Sequence, residues 1–235
     1  RGLSPRILHT MESHHHNNGF TLVELIVVMA IIAVVLSVVL TSQRSFNKTL
    51  TLANTAYDVA LTIRYAETFG LGSRAVGTAI NTGYGVHFQN APSKSFTLFA
   101  DKYPSVGQSG LCHSPPANDP TGPDARSGNC AYDVSQSEGI TDYNLGNNIT
   151  ISDFCSYSSG SWSCASRGLN SLDIVFVRPN ASPFMSVNGS YSEAFPVTKA
   201  CLTISSPQGG SRFVSVSSSG EITANAASDT SSCHE

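Results

Sequence analysis

Glu24 stands near the start of a long apolar run, "FTLVELIVVMAIIAVVLSVVL", residues 20–40. A carboxylate in hydrocarbon costs about 2.5–3.5 kcal/mol at the centre of a spanning helix. It is retained where a cation meets it, so Glu24 is a candidate for charge pairing within an apolar phase. The second reactive set is six cysteines, Cys112, Cys130, Cys155, Cys164, Cys201 and Cys233, all after the run. An even number in a loop-rich segment outside the cytosol reads as disulfides. Local pairing, Cys112–Cys130, Cys155–Cys164 and Cys201–Cys233, is the simplest of the possible connectivities. Each bridge would contribute about 2–4 kcal/mol.

Other chemistry finds little support. No GxSxG, HExxH, Walker or GxGxxG pattern occurs, and no CxxC suggests zinc. The stretch "DPTGPDARSGN" has the composition of a cation loop without EF-hand spacing. No catalytic residue, metal or cofactor is expected. The 235 residues carry a net charge of −3 with scattered Lys and Arg, which gives weak attraction for a polyanion.

The elements that position Glu24 follow from the run itself. About 21 residues at a helical rise of 1.5 Å span the roughly 30 Å hydrocarbon layer. A cleaved secretory signal would have a shorter apolar core followed by a small-x-small site. Here the small residue, Gly19, comes before the run. Beyond residue 40, Phe46, Leu50, Ala53, Tyr57, Ala60, Arg64 and Phe69 recur largely at steps of three and four, predicting an amphipathic helix with that face buried. No Pro or Gly interrupts residues 20–69, and Gly70 and Gly72 supply stop signals. The helix would cover about 50 residues and about 75 Å.

Gly19-Phe20-Thr21-Leu22-Val23-Glu24-Leu25-Ile26 resembles the processing motif of type IV prepilins and type II secretion pseudopilins. The resemblance implies cleavage after Gly19 by a membrane prepilin peptidase, N-methylation of Phe20 and a guiding role for Glu24 in assembly. The amine exposed on Phe20 is cationic near neutral pH. In a filament, Glu24 of one subunit would meet the Phe20 amine of its neighbour, and the burial penalty would make that pairing selective. The alternative is a glutamate snorkelling from a helix end. Members of the family usually carry Lys or Arg just before the glycine; this chain has "MESHHHNN", with Met11 a candidate start.

The segment "LTLANTAYDVALTIRYAETFGLGSRAVG", then "GYGVHF" and "FTLFAD", is similar to GspH/FimT-type pseudopilins. The expected fold is α+β: a long N-terminal helix, transmembrane then amphipathic, packed on an antiparallel β-sheet head. The expected layout is a leader at 1–19, a transmembrane or filament-core helix at 20–40, an amphipathic helix at 41–70 and a β-rich head at 71–235. Strands are expected at 84–88 and 95–100, weakly at 149–152, centrally at 172–178, then at 200–205, 212–217 and 221–223. Residues 103–148, rich in Pro, Gly, Ser and Asp, read as a disulfide-stapled insertion.

The family likeness implies a structural subunit, not an enzyme. It would sit as a single-pass protein in the inner membrane, head outside the cytoplasm, before joining a pilus or pseudopilus. Its partners would be prepilin peptidase and other pilin or pseudopilin subunits. The competing reading is a DNA-binding minor pilin for uptake in transformation. Arg212 stands alone in "GGSRF" and the tail "ASDTSSCHE" is acidic. Phosphate binding needs several cations, so a nucleic-acid partner is not expected.

Overall fold

A computed structural model describes residues 19–72, 82–112, 126–179 and 181–226. The chain divides into two units, Arg1–Ser45 and Phe46–Glu235. Helix α1, Leu22–Leu71, supplies residues to both.

In the first unit, Thr21 opens the helix. The Glu24 N–H donates to Thr21 Oγ1 at 3.2 Å, and the Leu25 N–H donates to the Thr21 carbonyl at 3.2 Å. Thr21 therefore acts as an N-cap. The stretch Leu22–Leu40 has a mean hydropathy of 3.1 and none of it is buried within the chain. Ser37 Oγ donates to the Val34 carbonyl at 2.7 Å, so this hydroxyl is satisfied inside the helix.

The second unit holds the C-terminal half of α1 and, among the described residues, ten strands in two antiparallel sheets. The first sheet comprises β1 (Gly83–Gln89), β2 (Ser95–Asp101), β3 (Gly139–Asn144), β6 (Ser171–Phe176) and β7 (Phe184–Val187), in the order β3-β2-β1-β6-β7. The second comprises β4 (Thr150–Ser158), β5 (Ser161–Cys164), β8 (Lys199–Ser205), β9 (Ser211–Ser217) and β10 (Ile222–Ala226), in the order β10-β9-β8-β4-β5. Ser93 and Ile151 exchange backbone hydrogen bonds of 3.0 and 2.8 Å between the two sheets.

One apolar core unites the helix with a face of each sheet. Val86, Phe88, Leu98, Ile174 and Phe176 enter it from the first sheet, and Ile151, Phe154, Leu202, Ile204 and Val214 from the second. The α1 residues that fill it are Leu52, Ala56, Val59, Ala60, Ile63 and Ala66. Of the face expected from sequence, Ala60 is in this core and Phe69 packs against it, and the rest is corrected. Phe46, Leu50 and Tyr57 are exposed at 67, 47 and 62%, and Arg64 is exposed while its guanidinium donates to the Ile222 carbonyl at 3.0 Å. Two stripes of three-and-four spacing run along this helix. The narrower residues, not the aromatics, let it settle between two sheets. Gly70 lies within α1, not beyond it: a Cβ there would strike the backbone carbonyl of Phe176, so glycine permits the closest approach of the helix to β6.

The expected strands at 84–88, 95–100, 200–205 and 212–217 are present with ends shifted by a residue, and 221–223 is the start of edge strand β10. The central strand stops at Phe176, and the weak strand at 149–152 extends to Ser158. Within 103–148, the described residues include a 3-10 turn, Val134–Gln136, and strand β3, so this stretch is more than an insertion. The antiparallel β-sheet head expected from sequence is present, built as two sheets.

Candidate processing and assembly site

Gly19 and Phe20 precede the helix without regular structure, and Phe20 is 80% exposed. Thr21 follows as the cap and Glu24 occupies the third helical position. Threonine at the cap with glutamate three residues on is the pattern of a capping box. The forward bond, from the Glu24 N–H to the threonine hydroxyl, is formed. The sequence signal Thr-x-x-Glu was legible, and it adds to the reading of Glu24. A carboxylate in the first turn faces the positive end of the helix dipole, which favours it by about 0.3–1 kcal/mol. Placing the acid at the helix start thus lowers the cost of carrying a charge into an apolar environment. Glu24 has no side-chain partner among the described residues.

Around this acid the helix presents only hydrocarbon. Leu22, Val23, Leu25 and Ile26 are between 58 and 74% exposed. An uncovered apolar surface of this kind requires lipid or other subunits. In the second unit, taken by itself, Leu61 and Tyr65 of α1 are each about half exposed. These border a groove of about 310 Å³ between α1 and the β2–β3 edge, with Phe96 and Tyr143 at its floor.

The described cysteines all belong to the second unit. Cys112 is bonded to Cys130, and Cys155 to Cys164 across the β4–β5 hairpin. The Cys155–Cys164 link closes a pair of strands, with Trp162 on β5 packing on Tyr157. Cys201 is buried on β8 and is not a free thiol. Cys233 lies outside the described residues, as do Met11, His14, His15, His16, Asn180 and most of the cation-like loop.

Sequence reasoning missed a polar cluster on the outer face of the first sheet. Register places Asp142, Thr97, His87, Asp173 and Ser186 in one row across its five strands. His87 Nδ1 lies 2.5 Å from Asp173 Oδ1, and both residues are buried. Burial pushes the Asp173 carboxyl up, and the hydrogen bond and charge of His87 oppose that rise. Asp101 and Glu138 are buried beside it. Asp101 accepts the N–H groups of Asn129 and Cys130 at 3.0 and 2.8 Å. Glu138 accepts those of Lys102, Tyr103 and Asp133 at 2.8–2.9 Å. Burial raises both carboxyls, Asp101 well above the usual range with the Glu138 charge adding to it. Residues 126–138 lie over the inner part of this row, and Asp142 at its β3 end is exposed. The signal available in sequence was the aspartate inside "LDIVFVR", an acid in a strand otherwise read as core.

Residues 14–40 match a family model described as the prokaryotic N-terminal methylation motif. This is the signal of type IV pilin-like prepilins, and the apolar helix that follows it is consistent with membrane anchoring and filament assembly. No curated protein and no solved structure matches the chain.

Proposed function

We propose that this chain is a structural subunit, present in minor amount, of a type IV pilus or type II secretion pseudopilus. Prepilin peptidase cuts after Gly19, and the new terminus at Phe20 is N-methylated. The protein waits in the inner membrane on one spanning helix with its head outside the cytoplasm. It then enters the filament through α1, where Glu24 neutralises the Phe20 amine of an adjacent subunit. The observation that supports this reading most is the methylation motif leading directly into a helix whose apolar surface is wholly uncovered. The capped first turn adds a reason for the acid to sit where it does. The likeness of 50–100 to GspH/FimT-type pseudopilins belongs to the same proposal, as does a Cys201–Cys233 bridge. A role without catalysis follows from it.

The test is the mature terminus. Mass spectrometry of the protein extracted from membranes of a host with prepilin peptidase should find a chain beginning at methylated Phe20. A chain retaining Gly19 and the residues before it would overturn the proposal.

A further inference from the structure

The outer face of the first sheet is covered by residues 126–138, and the way this strap is held sets it apart from the main core. Its apolar contacts form a separate cluster: Phe99, Val175 and Val177 of the sheet side with Cys112 and Cys130, flanked by Tyr132. Tyr132 lies against His87 and Phe99, with ring centroids 4.7 and 5.1 Å apart. The remaining attachments are polar. The Gly128 N–H donates to the Pro104 carbonyl and the Asn129 N–H to Asp101 Oδ1, each at 3.0 Å, and three more attachments converge on Cys130. Its N–H donates to Asp101 Oδ2 at 2.8 Å, its carbonyl accepts from Ser186 Oγ at 2.5 Å, and its sulfur is bonded to Cys112. Cys130 takes a left-handed backbone, φ 61°, to present all three at once. The far end of the strap is tied by Glu138 to the backbone of Lys102 and Tyr103.

Unlike the main core, this layer buries polar atoms without partners. His87 Nε2, Asp173 Oδ2 and Ser127 Oγ are each enclosed and make no hydrogen bond. Buried groups of this kind favour any state that readmits water. These groups, with a cluster of apolar contacts separate from the main core, mark the layer as a local unfolding unit. The covalent link at Cys130 opposes that opening.

We infer that residues 126–138 are a thiol-releasable strap: a dithiol reductant that opens Cys112–Cys130 uncovers the His87–Asp173 face of the first sheet while the main core stays folded. One reductant thiolate attacks a sulfur of the bridge during a transient opening, forming a mixed disulfide and freeing the other cysteine. The second reductant thiol then displaces the protein sulfur. Two electrons pass to the protein, which ends with two thiols, and the reductant ends as a cyclic disulfide.

The experiment is hydrogen–deuterium exchange on the full chain in detergent, comparing the strap with β8 and with the buried part of α1. A C112A/C130A variant isolates this bridge from the others. Amides of 126–133 should exchange at least about tenfold faster than in the parent, with β8 and α1 unchanged. Equal strap protection in variant and parent would overturn the inference, because the bridge would not be what holds the strap. Acceleration throughout the head would overturn it too, because the strap would not be a separate layer. Should the double variant fail to fold, Ser186→Ala removes one attachment at Cys130 and keeps the bridge. Reduced with dithiothreitol, it should exchange in the strap at least about tenfold faster than when oxidised, with α1 protected; equal exchange in the two states would overturn the inference.

Discussion

The two units of this chain handle acidic groups in opposite ways. In the first, Glu24 stands on an exposed apolar helix with its carboxylate unpaired among the described residues, and only its backbone N–H is capped. In the second, Asp101, Glu138 and Asp173 are buried, and each has at least one hydrogen-bond partner from its own chain. The head satisfies its acids internally, so they serve its architecture. The helix offers its acid no side-chain partner among the described residues, which is what the proposed assembly contact requires. A buried charge without a partner is expensive in either setting; what differs is where the partner comes from.

The largest effect that would break this comparison is in assembly. Glu24→Ala should leave membrane insertion and cleavage intact and lower the amount in sheared filaments by more than about tenfold, read by immunoblot of membrane and filament fractions. Each tenfold loss corresponds to about 1.4 kcal/mol of lost pairing. Normal incorporation would place Glu24 with the structural acids. Next in size is the core. Ile63→Ala, at a fully buried site on α1, should cost the head about 2–5 kcal/mol in chemical denaturation, whereas Leu61→Ala, half exposed, should change it by less than about 0.5 kcal/mol.

A smaller effect concerns pH. Asp101, Glu138 and Asp173 have carboxyls raised by burial above the usual values near 3.8 to 4.5. A group whose folded pKa is raised binds its proton more tightly in the native state. Its contribution is fully present below the unfolded value and is lost as pH rises through the folded one. These three therefore favour the head on the acidic side, and Asp101→Asn should flatten the dependence of the denaturation midpoint on pH. The smallest effect is at the cap. Thr21→Ala should cost about 1 kcal/mol locally and speed amide exchange in the first turn of α1, leaving the head unchanged.

Legibility in the sequence followed the strength of the local pattern. The apolar run, its acid and the hairpin strands β1–β2 and β8–β9 were readable because composition and spacing there admit one interpretation. The buried face of α1 was not. Phe46, Leu50 and Tyr57 compete with Leu52, Ala56 and Val59 at the same period, and only the two sheets decide which stripe fits between them. Strands β3, β5 and β7 escaped because "GITDYN", "SWSC" and "FMSV" are short and lie at sheet edges, with few core contacts to enforce alternation. The strap over His87 and Asp173 was hidden for another reason. Its attachments join β1, β2 and β7 to residues 126–138, and nothing in local sequence announces a loop N–H donating to an aspartate on a distant strand.

The contact of Gly70 with β6 has a mechanical consequence. Tension arriving along the last turns of α1 passes into the head beside Phe176, on a strand flanked by β1 and β7. An edge strand so loaded could peel away one hydrogen bond at a time. A strand held from both sides spreads the pull over two ladders, so the head is gripped where it is hardest to tear.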